Sequence, residues 1–339
     1  MSLDIKKSKI IYTFLLLSLS FFFLESCVNY NNRINVEIPN FNVLSTVTFE
    51  QNLSAYNIFE GNPQDLIPSA DFHLLELNSV LFTDYAKKQR LVKVPQGTEI
   101  TKIGNILEFP NETILAKTFY YYNDDRDTSL GKRVIETRLL IKKDDLWNVA
   151  TYIWNEDQTE AIVSFDGANT PVNWITESGE NRSTLYLIPN ENDCIACHQS
   201  NDEVIPIGTT LKNLNREVSR NGTNINQLTH LQTVAILNQF DVAASPQMID
   251  YNDLNIGLEQ RARAYFDINC SHCHNPTAWE APAKRDLDLR YEVPLNQTGI
   301  EQQADDINEF LTSGEMPFIG TTILDDEGVD LIIDFINSL

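Results

Sequence analysis

Hydrophobic and polar positions change their rhythm twice along the chain. The first stretch, Ile10 to Leu24, is almost wholly apolar and is preceded by Lys6, Lys7 and Lys9. From about residue 106 to 188 the rhythm becomes that of strands. The segments ILEF, TILAKTFYYY, KRVIETRLLIKK, LWNVATYIWN, EAIVSF and STLYLIP are rich in Ile, Val, Thr and aromatics, and Asn, Asp and Gly turns separate them. Six or more strands in succession predict an antiparallel sheet or sandwich. Further on the period becomes helical. NINQLTHLQTVAILNQF predicts one helix, and Leu258, Ala262, Tyr265 and Phe266 share one face of a second. Val329, Ile332, Ile333 and Ile336 share a face of a third, with Asp325, Asp326 and Glu327 favouring its start electrostatically.

The opening stretch is too short for a usual membrane span of about 20 apolar residues. Its order of basic, apolar and small residues is that of a secretion signal. The run closes on LESC, which resembles a bacterial lipobox, so Cys27 is expected to carry lipid as the first mature residue. Glu25 departs from the small residue usual at that place. Val28 follows where lipoproteins kept at the inner membrane often have Asp, which points to the outer membrane facing the periplasm. A net charge of −23 disfavours nucleic acid and anionic lipid surfaces as partners, while suiting a basic redox partner.

Chemistry concentrates in two short stretches. Of five cysteines, Cys194 and Cys197 stand in CIACH and Cys270 and Cys273 in CSHCH, each pair followed at once by a histidine, His198 and His274. Three readings compete for such pairs: covalent haem, zinc, and a redox dithiol or disulfide. Exported thiols face oxidation, which disfavours zinc and a free dithiol. Two zinc-binding pairs would also stand closer together than these do. Haem accounts for the whole motif, since two thiols add to its vinyl groups and the adjacent histidine becomes the proximal ligand. The expected cofactors are therefore two c-type haems.

Around the second motif, the order helix, Cys-x-x-Cys-His, loop, Met-Pro, helix resembles a small class I cytochrome c. That resemblance implies Met316 as the sixth ligand of the second haem. No Met-Pro loop follows the first motif. His230 and Met248 are its sixth-ligand candidates, with His73 behind them, and an iron with no protein sixth ligand is the remaining alternative. His272, inside the second motif, reads as an exposed filler residue. Lys87, Lys88 and Arg90 read as a solvated basic segment or as partners for haem propionates, and Lys212 as a further propionate partner. Glu136 and Arg138 share a strand face and suit a polar contact.

Longer landmarks, among them LFTDYAKKQRLVKVPQG, VIETRLLI, LIPNENDCIACH, IPIGTTLKNLN and RARAYFDINCSHCHNP, resemble a family of poorly characterised bacterial dihaem c-type cytochromes. The likeness runs from about Pro68 to the C-terminus. It implies export and two covalent haems, and brings no substrate. FPNETILAKTFYY and LWNVATYIW are also similar to the β-sheet haem proteins that include the β form of cytochrome c prime and a lysine-cross-linked haem enzyme acting on hydroxylamine. That likeness implies a five-coordinate haem over one sheet face, with Lys117, Phe119 or Tyr120 lining its distal side. Each of the three is equally an alternating strand position in a core.

The expected class is α+β and multidomain. Residues 1–27 form a lipoprotein signal, 28–67 a tether, 68–200 a β-rich domain ending in the first haem motif, 201–250 a helical connector, and 251–339 an all-α class I cytochrome c-like domain. The expected function is electron transfer in the cell envelope with a redox partner protein. The alternative is a haem enzyme or sensor in which the first haem takes peroxide, nitric oxide or hydroxylamine and the second relays electrons. A third reading is a colourless structural zinc lipoprotein.

Overall fold

Most strands form where β-branched and aromatic residues alternate, and the longest coincides with KRVIETRLLIKK. The computed structural model describes residues 38, 45–279 and 286–339. The signal segment and Cys27 lie outside the described residues. The first ten of the fourteen strands among the described residues are, in chain order, β1 (His73–Leu74), β2 (Lys87–Lys93), β3 (Thr101–Ile103), β4 (Ile106–Glu108), β5 (Ile114–Tyr122), β6 (Lys132–Lys143), β7 (Leu146–Trp154), β8 (Ala161–Ser164), β9 (Ala168–Ile175) and β10 (Asn181–Ile188). One sheet has the order β1-β2-β5-β6-β7-β8, and every neighbouring pair in it is antiparallel. β3 with β4 and β9 with β10 form separate hairpins.

The two faces of this sheet differ in chemistry. Leu91, Ala116, Leu139, Ile141, Tyr152 and Trp154 face a core closed by Leu53, Ile58, Leu66 and Phe72. Residues 45–67, within the expected tether, thus contribute buried side chains to the fold. On the opposite face the register aligns three rows across β2, β5, β6 and β7. Val92, Leu115, Leu140 and Val149 form an apolar row. Arg90, Lys117, Arg138 and Thr151 form the next, and Lys88, Phe119, Glu136 and Ile153 the third.

Among the described residues there are six α-helices: α1 (Glu191–His198), α2 (Leu211–Leu214), α3 (Gln227–Thr233), α4 (Leu258–Asn269), α5 (Ala304–Ser313) and α6 (Asp326–Asn337). None of them is long and apolar enough to cross a membrane. α3 is shorter than expected, because residues 223–226 pair in a small hairpin with Glu217–Arg220.

The expected separate all-α C-terminal domain is overturned. The fold is dominated by the antiparallel sheet, its helices are at most 12 residues long, and residues 36–339 form one compact unit. The cause lies in residues 78–85, which thread between the two halves. Val80, Leu81 and Ile207 pack against the core that α4, α5 and α6 share. Ser79 Oγ donates to the Ile249 carbonyl at 2.7 Å, the Phe82 amide donates to Asn269 Oδ1 at 2.7 Å, and Tyr251 donates to the Val80 carbonyl at 2.9 Å. Helices this short do not close a core by themselves, so the C-terminal segment completes its own on the sheet-bearing half.

α4 buries Ala262, Tyr265 and Phe266 on the expected face. The buried stripe of α6 is Gly328, Leu331, Ile332 and Phe335, about one position away from the expected one, because α4 lies against Gly328. A Cβ at that glycine would overlap the Tyr265 ring.

Candidate functional site

The first motif is carried by α1, whose start is set by a reciprocal cap. Asn190 Oδ1 accepts from the Asp193 amide at 3.0 Å and Asp193 Oδ2 accepts from the Asn190 amide at 3.1 Å. That places Cys194 against the sheet, 3.9 Å from Thr151 Oγ1. Burial pushes the Cys194 thiol up to about 12. At the end of the helix, His198 Nδ1 lies 2.7 Å from the Ile205 carbonyl. That contact suits the tautomer that donates from Nδ1 and leaves the Nε2 lone pair for a metal. Burial, then the nearby Lys117 and Arg138, lowers His198 to about 3, so its ring is neutral over the physiological range.

The second motif begins where α4 ends. The Cys270 amide still donates to Phe266, and the Cys273 and His274 amides both turn back to the Cys270 carbonyl at 3.1 and 2.9 Å. Burial pushes the Cys270 thiol up to about 12 as well. Buried thiols of this kind are poor free nucleophiles, which disfavours a redox dithiol.

The fold brings the two motifs together. Ligand atoms of Cys197, His272 and Cys273 all lie within 4.8 Å of one another. The Cys197 thiol is raised first by its hydrogen bond with Cys273 and next by burial. A cavity is lined by Cys270, Cys273, His274 and Met316. A second is lined by Cys194, Cys197, His198, Lys117 and Arg138. Cys197, Asn269, His272, Pro317 and Ile319 line both, so the cavities share a wall at the point where the motifs meet.

The other sequence candidates fall into two groups. Met316 shares its cavity with His274, as a sixth ligand would. His230 and Met248 are absent from the linings of the cavities that His198 lines. Met248 is buried in the core of α4, α5 and α6, and His230 sits on α3 near His73. Lys212 is engaged elsewhere, with Asp267 at 2.9 Å and Glu292 at 2.7 Å. Tyr120 lies against the opposite core with Leu91 and Trp154, while Lys117 faces His198.

Two features were missed from sequence, and a third, the Glu136–Arg138 contact, is the polar contact expected on that strand face. His272 is no filler: it borders both cavities, and its Nδ1 is buried without a hydrogen-bond partner. Lys88 and Arg90 turn inward, and burial lowers both, Arg90 to about 10. The alternation of Lys88 and Arg90 within a strand was the available signal, since i and i+2 share a face. Glu136, fully buried, holds Arg138 through two contacts of 2.8 and 2.5 Å and accepts from Tyr186 at 2.7 Å.

Compared with family models, with curated proteins and with solved structures, the chain matches none.

Proposed function

We propose that this protein is a dihaem c-type cytochrome that transfers electrons in the cell envelope, tethered by lipid on Cys27 and served by a redox partner protein. One observation carries the reading: two Cys-x-x-Cys-His motifs, separated in sequence, meet at Cys197, His272 and Cys273, and each borders its own cavity. The donors fit the group. Cys194 and Cys197 would hold one haem and Cys270 and Cys273 the other, with His198 and His274 as proximal ligands. Covalent haem supplies one-electron redox chemistry when bound. The protein's own contribution is to orient His198 through the Ile205 carbonyl, to keep its ring neutral, and to present Met316 in the cavity of His274.

Within this reading the two sites differ. Met316 offers the second site a thioether, whereas Lys117 and Arg138, with no methionine, line the first. That contrast favours the small-molecule alternative at His198 over a second saturated iron. A soft-metal reading has one observation in its favour, since Cys197, His272 and Cys273 are close enough to hold one zinc ion.

The test is protein matured in a host with haem-attachment machinery, examined by intact mass, metal analysis and the reduced visible spectrum with and without carbon monoxide. Two covalent haem additions and a spectral shift in about half the haem are expected. Colourless protein with bound zinc and no added mass would replace the reading with the soft-metal one.

A further inference from the structure

Next to the His198 cavity lies another, on the sheet side of the same histidine. Its walls are mostly apolar, from Leu75, Leu115, Leu140 and Val149, and its polar lining is Arg90, Lys117, Arg138, Thr209 and His198 itself. Arg90, Lys117 and Arg138 are consecutive cross-strand neighbours on β2, β5 and β6. No carboxylate lines this cavity. Glu136 is hydrogen-bonded to Arg138 and shared with Tyr186, and it reaches Lys117 through charge alone, without a hydrogen bond. Asp193 borders the neighbouring cavity, where its carboxylate caps α1. Arg90 is enclosed, and its Nη2 is buried without a hydrogen-bond partner. The Lys117 ammonium rests 4.9 Å from the centre of the Phe119 ring.

Buried cations are normally paired, because an unpaired charge in an apolar enclosure costs several kcal/mol. Here all three line a cavity with no carboxylate in its lining, and among the described ion pairs only Arg138 has a carboxylate partner. We propose that the Arg90–Lys117–Arg138 row is an anion site, taking one carboxylate or small oxyanion beside His198. Guanidinium and ammonium groups side by side suit a flat, singly charged anion with two acceptor oxygens. That chemistry has two sources: a freely exchanging anion such as nitrite or formate, or the propionate of a haem attached through Cys194 and Cys197. Only the second source rests on the dihaem reading.

The experiment uses the full-length matured protein, with its haem content fixed beforehand by intact mass. Nitrite and formate are titrated into it by calorimetry at constant ionic strength, and the propionate bending band is followed by resonance Raman. Wild type is compared with Lys117→Met and Arg90→Met, and with Arg90→Lys as the charge-conserving control. Circular dichroism establishes that each variant is folded. Saturable one-to-one binding, weakened about tenfold or more in both Met variants and retained in Arg90→Lys, supports the site with a free anion. No binding in wild type, with a propionate band that shifts in both Met variants and returns in Arg90→Lys, supports it with the haem carboxylate. No saturable binding and no band shift overturns it. Missing haem mass refutes the dihaem reading, and the calorimetric arm still decides the anion site.

Discussion

Asp84 grips Thr322 twice: Oδ1 accepts from the Thr322 amide and Oδ2 from the Thr322 hydroxyl, each at 2.7 Å. The Ile323 amide adds a third contact to Oδ1 at 3.2 Å. Asp84 lies within the threaded segment, at 1% exposure, and Thr322 belongs to the loop between Met316 and α6. A single carboxylate thereby joins the sheet-bearing half to the loop that walls both cavities through Pro317 and Ile319.

Asp84→Ala leaves two backbone amides and a hydroxyl without their acceptor. A stability loss on the order of 2–4 kcal/mol follows from charge-assisted bonds of this kind, measured by urea unfolding of the matured protein. The loosened loop also releases Met316, so the variant is expected to gain carbon monoxide binding at the second haem. A destabilised protein with an unchanged gas response would separate the latch from the Met316 position.

Much of this arrangement was legible in the chain. KRVIETRLLIKK is β6 to the residue, and the face of α4 was read from Ala262, Tyr265 and Phe266 because period and burial agree there. β2 was missed because KKQRLVK is mostly charged, and its strand character comes from pairing with β5 rather than from its own composition. β9 was missed because Pro171 and three polar residues obscure the alternation. Both motifs were visible, whereas their meeting was not, because contact between Cys197 and Cys273 depends on how residues 78–85 thread between the halves.

Met316 and Met248 are the two methionines proposed as ligands, and the fold separates them. Met316→Ala should lower the midpoint potential of one haem and make that haem reactive to carbon monoxide, since the thioether is removed. Met248→Ala should instead cost about 2–5 kcal/mol as a buried methionine truncated to alanine, with both potentials unchanged. Potentiometry paired with thermal melts distinguishes them; a potential shift in Met248→Ala would place a ligand where the structure has core.

The α4–α6 crossing is set by Gly328 against Tyr265, whose hydroxyl donates to Asp325 Oδ2 at 3.0 Å. Gly328→Ala gains up to about 1 kcal/mol of helix propensity. The methyl, however, has no room beside the ring, and overpacking costs about 1–3 kcal/mol. Net destabilisation is the expected result. A variant more stable than wild type in denaturant would show that the ring moves aside freely.

Lys117 gives stability a pH dependence of known sign. Burial, reinforced by Arg90, Arg138 and Lys88, holds its ammonium well below the ordinary 10.5. Between that lowered value and 10.5 the unfolded chain binds more protons than the folded one, so stability rises with pH across this window. Below it both states are protonated, and the folded state keeps the full burden of a buried charge. Lys117→Met removes the titration, so its stability should change less steeply than that of wild type as pH is raised toward 10.5. It should also exceed wild type at the low end, where the ammonium is an uncompensated cation in an apolar enclosure. Guanidinium unfolding of the two matured proteins at several pH values measures both effects. Parallel curves for the two would mean that the Lys117 charge is already balanced, as it would be if an anion stayed bound in the row throughout.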